Sequence, residues 1–119
     1  MAIKLKRAYD KPEPDDGIRI LVERLWPRGL SKKDAHVDEW LKDIAPSTEL
    51  RKWFSHDTAK WEEFRRRYHK ELHNNRDAVK KLLDITEGKD VTFVYSSKEE
   101  RYNSASALKD YIEKLGKFK

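Results

Sequence analysis

A short strand near the C-terminus constrains the fold more than any other segment of this chain. Residues 91–95, Val-Thr-Phe-Val-Tyr, form a nearly unbroken run of strand-forming residues, which is typical of a strand covered on both faces. Helical spacing precedes the run, and a second helical pattern that includes Leu108, Ile112 and Leu115 follows it. A buried strand between two helices predicts an α/β layer whose sheet is at least partly parallel.

Two further strands are predicted at the N-terminus, over residues 3–9 and 17–24. The eight-residue loop between them favours an antiparallel hairpin, because a parallel crossover usually needs a dozen residues or more. A nearly extended loop of this length can also return the chain for a parallel arrangement. The residues leave both arrangements open. We therefore predict one α/β domain over residues 1–119, with a small sheet of about three strands and helices packed over it.

The middle of the chain is predicted to be mainly helical. Trp61, Phe64, Tyr68 and Leu72 form one apolar stripe, and Ser47 is a candidate N-cap for a shorter helix before it. Residues 36–43 have helical spacing but are too short for a firm assignment. Three successive arginines at 65–67 point in different directions on the long helix and have acidic neighbours at helical spacing, which favours a solvated, neutralised face.

Composition limits the classes of function. The sequence has 27 Lys and Arg against 22 Asp and Glu, a net charge of +5, which permits an anionic partner without requiring one. There is no cysteine, so disulfides and thiolate chemistry are excluded. No apolar run reaches the length of a membrane span and the N-terminus lacks a signal-peptide core, so we expect a cytoplasmic protein with no membrane partner.

The end of the second strand carries the clearest functional signal. Arg24, Trp26 and Arg28 crowd around a Pro-Arg-Gly turn, where a sheet meets solvent. Two guanidinium groups beside an indole are poorly suited to a core and well suited to holding an anion or a planar group.

A second group of polar residues follows the buried strand. Tyr95, Ser97, Lys98 and Asn103 lie where ligands bind in α/β sheets, outside the carboxyl ends of parallel strands. A polar connection in which Asn103 caps the last helix explains the same residues equally well. If the strands are parallel, this group and the Arg24 group converge in one basic, aromatic-lined cleft.

Other candidates are weaker. Ser47 and Arg51 lie on the predicted short helix, and a helix N-terminus binds anions, although capping alone explains Ser47. His56 and Lys98 are the only residues we single out for proton transfer. His69 and His73 have the i, i+4 spacing of metal ligands, but no third ligand is evident nearby, so we predict neither a metal site nor a cofactor.

Several blocks of the sequence resemble a known family. "LVERLWPRG", "WLKDIAPS", "FSHD" and "VTFVYSSKEERYNSASALKDYI" are similar to the YeaO-like branch of the domain of unknown function 488 family, and the resemblance covers nearly the whole chain. It implies a small cytoplasmic α/β protein with a parallel first strand pair and no securely attached activity. The motif positions it marks are Arg24, Trp26, Pro27, Arg28, Gly29, Trp40, Pro46, Ser47, Arg51, Trp53, His56, Tyr95, Lys98 and Asn103.

The chain departs from other branches of that family at one place. Those branches carry a cysteine-histidine-arginine block near the end of the last strand, whereas this chain has Arg101-Tyr102-Asn103. Thiol-based chemistry therefore does not transfer to it.

The leading hypothesis is a cleft that binds a small anionic ligand bearing phosphate or carboxylate, with processing of that ligand left open. Arg24 and Arg28 would pair with its charge, Trp26 would stack on it, and Ser47, Tyr95 and Asn103 would orient it. The alternative is a nucleic-acid-binding or regulatory module that uses the basic surface.

Overall fold

Four parallel strands form the sheet in a computed structural model that describes residues 3–116. The strands are β1 (Ile3–Arg7), β2 (Ile18–Leu21), β3 (Glu39–Trp40) and β4 (Val91–Tyr95), in the spatial order β1-β4-β2-β3. All three pairings are parallel. The predicted α/β class is confirmed. The sheet has one strand more than the predicted three, because β3 has only two residues and leaves no periodic signal.

Five α-helices accompany the sheet within the described residues. They are α1 (Lys32–Ala35), α2 (Thr48–Phe54), α3 (Trp61–His73), α4 (Arg76–Thr86) and α5 (Ser104–Gly116). Single turns of 3-10 helix occur at Pro14–Asp16, Lys42–Ile44 and Thr58–Lys60. No helix among residues 3–116 is long and apolar enough to cross a membrane.

The first two strands run parallel but are not neighbours, so the hairpin alternative is wrong. β4 lies between them, and its residue Val91 is opposite both Ile3 and Ile18. All five residues of β4 are buried, as the sequence predicted for a covered strand. The hairpin alternative assumed a direct contact between β1 and β2, whereas the parallel direction that the other alternative allowed is confirmed. The sequence could not show that a distant strand inserts between them.

The two faces of the sheet are covered differently. Ile20, Phe93 and their neighbours on one face pack against helical residues such as Phe64, Leu82 and Leu108, which form the main core. The other face has a smaller core that is covered mainly by loops. Its buried residues are Ala8, Leu21 and Val94, with Trp26, Leu30, Val37 and Trp40 packed against them.

The loop-covered face also holds a buried ion pair. Asp16 and Arg19 are each 3% exposed, and Asp16 Oδ2 accepts a hydrogen bond from Arg19 Nη1 at 2.7 Å. Lys6 Nζ donates to the same carboxylate at 3.1 Å. Asp16 is therefore buried, although it lies in the polar, turn-rich loop between β1 and β2. Alternation along β2 directs Arg19 inward, and a buried guanidinium needs an acidic partner.

The segment with ambiguous helical spacing is a strand followed by a turn. Asp38 N donates to Arg19 O at 2.8 Å, and Leu41 N donates to Leu21 O at 3.0 Å, so the backbone pairs with β2. In α3, by contrast, the predicted stripe is confirmed, with Phe64, Tyr68 and Leu72 buried. Long periodic segments keep their local preference, whereas short ones follow the tertiary partner.

Candidate functional site

A cleft of about 810 Å³ lies beyond the carboxyl ends of β2 and β4. It is bounded by the segment after β2, by α2 and the corner that follows it, by α3, and by the connection from β4 to α5. The lining residues are Glu23, Leu25, Thr48, Arg51, Lys52, Phe54, Ser55, His56, Phe64, Ser96, Ser97, Lys98, Glu99, Asn103 and Ser104.

The parallel pairing of β2 with β4 brings the two sides of the cleft together. Val22 N donates to Val94 O at 3.3 Å, which extends the ladder past the end of β2. One residue further on, Ser96 N donates to Glu23 Oε1 at 3.0 Å. The segments that follow β2 and β4 therefore meet at one edge of the sheet, which is the position that parallel strands predict.

The cleft has an apolar floor and a cationic rim. Phe54 and Phe64 are 6% and 2% exposed, and their rings stack with centroids 4.3 Å apart. Arg51, Lys52 and Lys98 are exposed around them. Such a site can bury an apolar group while its rim contacts a negative charge.

A strained corner forms one wall of the cleft. Ser55 and His56, directly after α2, have φ angles of 43° and 58°, in the left-handed region. Each such residue costs about 1–2 kcal/mol relative to a right-handed conformation. The corner is closed by a hydrogen bond from Asp57 N to Phe54 O at 2.9 Å. It holds the exposed His56 ring at the rim, with its centroid 6.5 Å from that of Phe54.

The start of α5 forms the opposite wall. Asn103 is 4% exposed and caps this helix, since its Oδ1 accepts from Ser106 N at 2.8 Å. Its Nδ2 donates to Glu99 O at 2.9 Å. Ser97 Oγ accepts from Glu99 N at 3.0 Å. These bonds shape the connection and present the positive end of the α5 dipole to the cleft.

The structure brings half of the sequence-predicted site residues into this cleft and leaves the others elsewhere. Those that line it are Arg51, His56, Ser97, Lys98 and Asn103. Those that do not are Arg24, Trp26, Arg28, Ser47 and Tyr95.

Trp26 belongs to the core on the other side of the sheet. Its Nε1 donates to Leu30 O at 2.6 Å, and its ring meets that of Trp40 edge-on at 5.4 Å. Arg28 is exposed, and its carbonyl accepts from Tyr9 Oη at 2.8 Å. The turn after β2 therefore places Trp26 and Arg28 away from the cleft, although the start of the same segment lines the cleft.

Arg24 and Ser47 make local structural contacts. Arg24 Nε donates to Pro46 O at 3.0 Å, at the edge of a separate cavity of about 540 Å³. Ser47 Oγ accepts from Leu50 N at 3.1 Å and donates to Glu71 Oε2 at 2.6 Å, so it caps α2. Tyr95 is buried at the end of β4, and burial raises the pKa of its phenol.

Several residues that line the cleft were not predicted from the sequence. Glu23 and Leu25 lie beside the more conspicuous Arg24 and Trp26, and the bend at residues 23–25 after β2 places the two pairs in different surroundings. Lys52 and Ser55 lie beside residues that were singled out. Proximity to Arg51 and to His56 was the available signal.

The remaining charged motifs make internal contacts. His69 Nε2 lies 2.9 Å from Ala107 O, and residues 3–116 contain no group of three His, Cys, Asp or Glu side chains placed to hold a metal ion. Of the three successive arginines, Arg65 pairs with Glu62 and Asp110, whereas Arg66 and Arg67 pair with Glu63. The predicted neutralised helix face is present.

Comparison with known proteins identifies the family of the chain. Residues 2–117 match a family model described as the inactive DUF488-N3 subclade. The chain therefore belongs to that subclade, and the YeaO-like branch indicated by the motifs is confirmed.

Its relatives include several uncharacterised proteins. The chain is 45% identical over 115 residues to the uncharacterised protein YeaO of Escherichia coli (strain K12), an alignment that covers 97% of this chain and all of the relative. It is 40% identical over 106 residues to an uncharacterised protein of Mycobacterium tuberculosis (strain H37Rv) and to one of Mycobacterium bovis, with 89% of each chain covered. No solved structure matches the chain significantly.

Proposed function

We propose that the cleft at the ends of β2 and β4 binds a small organic anion that bears a phosphate or a carboxylate. The observation that carries the proposal is the arrangement of Arg51, Lys52 and Lys98 around one mouth, above the buried rings of Phe54 and Phe64. Exposed cations at the mouth of a concave apolar site favour a ligand with a charged end and an apolar body.

The wall formed by α5 supports the same ligand class. Asn103 and Ser104 line the cleft, and α5 has 13 residues, so the positive end of a long helix dipole faces the bound group. Ser97 adds a hydroxyl on the same wall. Arg24, Trp26, Arg28, Ser47 and Tyr95 take no part in this proposal, because their side chains lie outside the cleft.

Binding is favoured over chemical conversion. The subclade to which the chain belongs is described as inactive. In the cleft, His56 and Lys98 are both exposed at the rim. Solvent water there competes with a ligand for proton transfer to and from these two side chains. We therefore assign them to ligand contact. The sequence contains no cysteine and so needs no oxidising compartment for disulfide formation. We therefore expect the chain to bind this ligand in the cytoplasm.

A nucleic-acid role has less support. Trp53, whose ring is half-buried, is the aromatic residue with the most cationic neighbours. These neighbours, Arg67 and Lys60, lie 4.4 Å and 5.1 Å from the ring centroid. They occupy the space that a stacked base would need. The arginine cluster of α3 is paired with acids.

A thermal-shift screen tests the proposal. The purified protein is heated with phosphate esters, carboxylates and short oligonucleotides, in parallel with Lys98→Ala and Arg51→Ala. A ligand at a hundredfold its Kd stabilises a protein by about 2.7 kcal/mol, which such a screen detects. We expect small organic anions to stabilise the wild type and to lose most of that effect in both variants.

The matched control is Lys80→Ala, which removes an exposed charge on α4, away from the cleft. It should bind as the wild type does. Stabilisation by oligonucleotides alone, or equal loss in all three variants, would contradict the proposal.

A further inference from the structure

The acidic residue Glu23 is the least expected member of the cleft. Its side chain is half-buried, and among residues 3–116 no Lys, Arg or His nitrogen lies within 4.0 Å of its carboxylate. Its Oε1 accepts one hydrogen bond, from Ser96 N, and its Oε2 has no donor within that part of the chain. Oε2 is not shielded from solvent within the cleft, so this free carboxylate oxygen can accept a hydrogen bond from a bound ligand.

The charged side chains of the cleft lie at different depths, with an acidic residue inside and basic residues at the mouth. Glu23 directly follows the buried Val22 at the end of β2, whereas Arg51, Lys52 and Lys98 are exposed at the mouth. Glu99, which also lines the cleft, accepts from Arg101 N through Oε2 on the loop before α5. An anionic group therefore finds attraction at the mouth and repulsion next to Glu23.

Apolar surface lies between these two levels. Phe54 and Phe64 form the floor, and Leu25, at the edge, is 69% exposed. Leu25 and Tyr9 are the only large hydrophobic side chains exposed among residues 3–116. A ring packed against Leu25 would remove the exposed part of that side chain from water, and contact with the phenylalanine rings of the floor would add aromatic stacking energy.

The size of the cleft agrees with an organic ligand. Its volume of about 810 Å³ falls within the range of small-molecule sites and far exceeds that of an inorganic anion.

We infer that the ligand of this cleft is an aromatic anion with an O–H or N–H donor at the end remote from its charge, and that Glu23 selects for that donor. This inference rests on the proposed function and extends it to the substrate class. The anionic group contacts the cationic rim, the ring packs between Leu25 and the phenylalanine floor, and the donor reaches the Glu23 carboxylate.

Four probes separate these contributions by calorimetric titration: inorganic phosphate, phenyl phosphate, 4-hydroxyphenyl phosphate and 4-methoxyphenyl phosphate. We expect phenyl phosphate to bind at least about tenfold more tightly than inorganic phosphate, because the ring buries apolar surface. The hydroxyl should tighten binding by about another tenfold through a hydrogen bond to a charged acceptor. The methoxy probe, which has no donor, should lose that gain.

Glu23→Gln tests the assigned residue. It should reduce the preference for the hydroxyl probe over phenyl phosphate to about threefold or less. Phenyl phosphate should bind the variant no more weakly than it binds the wild type, because loss of the Glu23 charge removes a repulsion of the anion, and this binding shows that the variant is folded. The comparison of hydroxy and methoxy probes in the wild type tests the donor without any mutation.

The outcomes distinguish this inference from the function on which it rests. Equal affinity for inorganic phosphate and all three esters would overturn the inference and leave anion binding in place. A hydroxyl preference unchanged in Glu23→Gln would overturn the role of Glu23. Failure of all four probes to bind would overturn the inference, and, if the wider screen of anions also gave no stabilisation, the proposed function with it.

Discussion

Asp16 and Arg19 form a buried ion pair on the loop-covered face of the sheet, with Oδ2 and Nη1 2.7 Å apart and both side chains 4% exposed. Arg19 also donates through Nε to His36 O at 3.1 Å and through Nη2 to Ala35 O at 3.0 Å. The pair thus joins the link between β1 and β2 to the segment before β3. Through its bond to Arg19, the Asp16 carboxylate holds together the link between β1 and β2, β2 itself and the segment before β3.

Removal of this carboxylate should be strongly destabilising. Asp16→Asn leaves the Arg19 guanidinium buried without a counter-charge, a situation that typically costs 3–5 kcal/mol, so we expect about 3 kcal/mol. The adjacent Asp15→Asn is the control, because Asp15 pairs with Lys4 at the surface and such pairs contribute about 1 kcal/mol or less. Urea denaturation of both variants measures the difference, and similar midpoints would refute the importance of the pair.

Stability should also fall in acid. Burial by itself raises the pKa of Asp16, but hydrogen bonds from the Glu13 backbone, Lys6 and Arg19 outweigh it and hold that pKa below its ordinary value of 3.8. Burial also raises the pKa of Asp110, but its interactions with Arg65 and Lys114 together outweigh burial and lower that pKa. In both cases the unfolded chain binds the proton more readily.

The contribution of these two carboxylates is therefore complete above the unfolded-state pKa and is lost as the pH falls towards the lower folded-state pKa. We expect the free energy of unfolding of the wild type to drop below about pH 4, and that of Asp16→Asn to drop less steeply. Denaturant titrations at a series of pH values test this. Parallel curves would show that Asp16 is not the responsible group.

Gly17 should tolerate no side chain. Its φ is 67°, and a Cβ built on it would lie 2.2 Å from Asp90 O, the carbonyl that accepts from Ile18 N. Gly17→Ala therefore combines a left-handed backbone penalty with a clash against the start of β4, and we expect a loss of about 3 kcal/mol. Gly88→Ala is the matched control, since its φ is 70° but no atom lies within 4 Å of the added Cβ.

The control should lose only the backbone contribution, about 1–2 kcal/mol. Thermal and urea denaturation of the two alanine variants give the comparison. If Gly88→Ala proved as destabilising as Gly17→Ala, the close approach to Asp90 would not matter.

Ser47→Ala should weaken the start of α2. The hydroxyl caps the helix at Leu50 N and also donates to Glu71 on α3, so its loss removes a cap and a link between two helices. We expect about 1–2 kcal/mol of destabilisation. Ser31→Ala, which removes the exposed cap of the four-residue α1, should cost less. Equal losses in chemical denaturation would argue against the Glu71 link.

Ser55→Gly should stabilise the protein. Glycine adopts the left-handed conformation at this position without the steric cost that serine incurs, although it loses more backbone entropy on folding. The balance predicts a gain of about 0.5–1 kcal/mol. Thr58→Gly, within a helical turn, should instead lose about 1 kcal/mol. A rise in Tm for the first variant and a fall for the second would confirm the strain.

Local patterns were sufficient for much of the fold. The bounds of β4 were predicted correctly, and the predicted caps Ser47 and Asn103 each accept a backbone hydrogen bond in the structure. These features depend on contacts within a few residues, which a sequence pattern records directly. β3 was missed because its conformation comes from pairing with β2.

The cleft was only half predicted, for a similar reason. Its position followed from the rule for parallel strand ends, and Arg51, His56 and Lys98 were identified there. Arg24 and Trp26 are more conspicuous residues than Glu23 and Leu25, yet the second pair lines the cleft. The segment that follows β2 bends at residues 23–25, and the direction of each side chain there depends on tertiary contacts that composition does not record.

The sequence by itself determined the α/β class, the buried central strand, the helix caps and the family of this protein, because each depends on local spacing or on whole motifs. Only the tertiary structure decided that β4 separates β1 from β2, that Asp16 is buried, and that Glu23 rather than Trp26 faces the cleft. These three features depend on contacts between segments distant in the chain. Their free energies arise from burial and pairing, which exist only once the sheet has assembled.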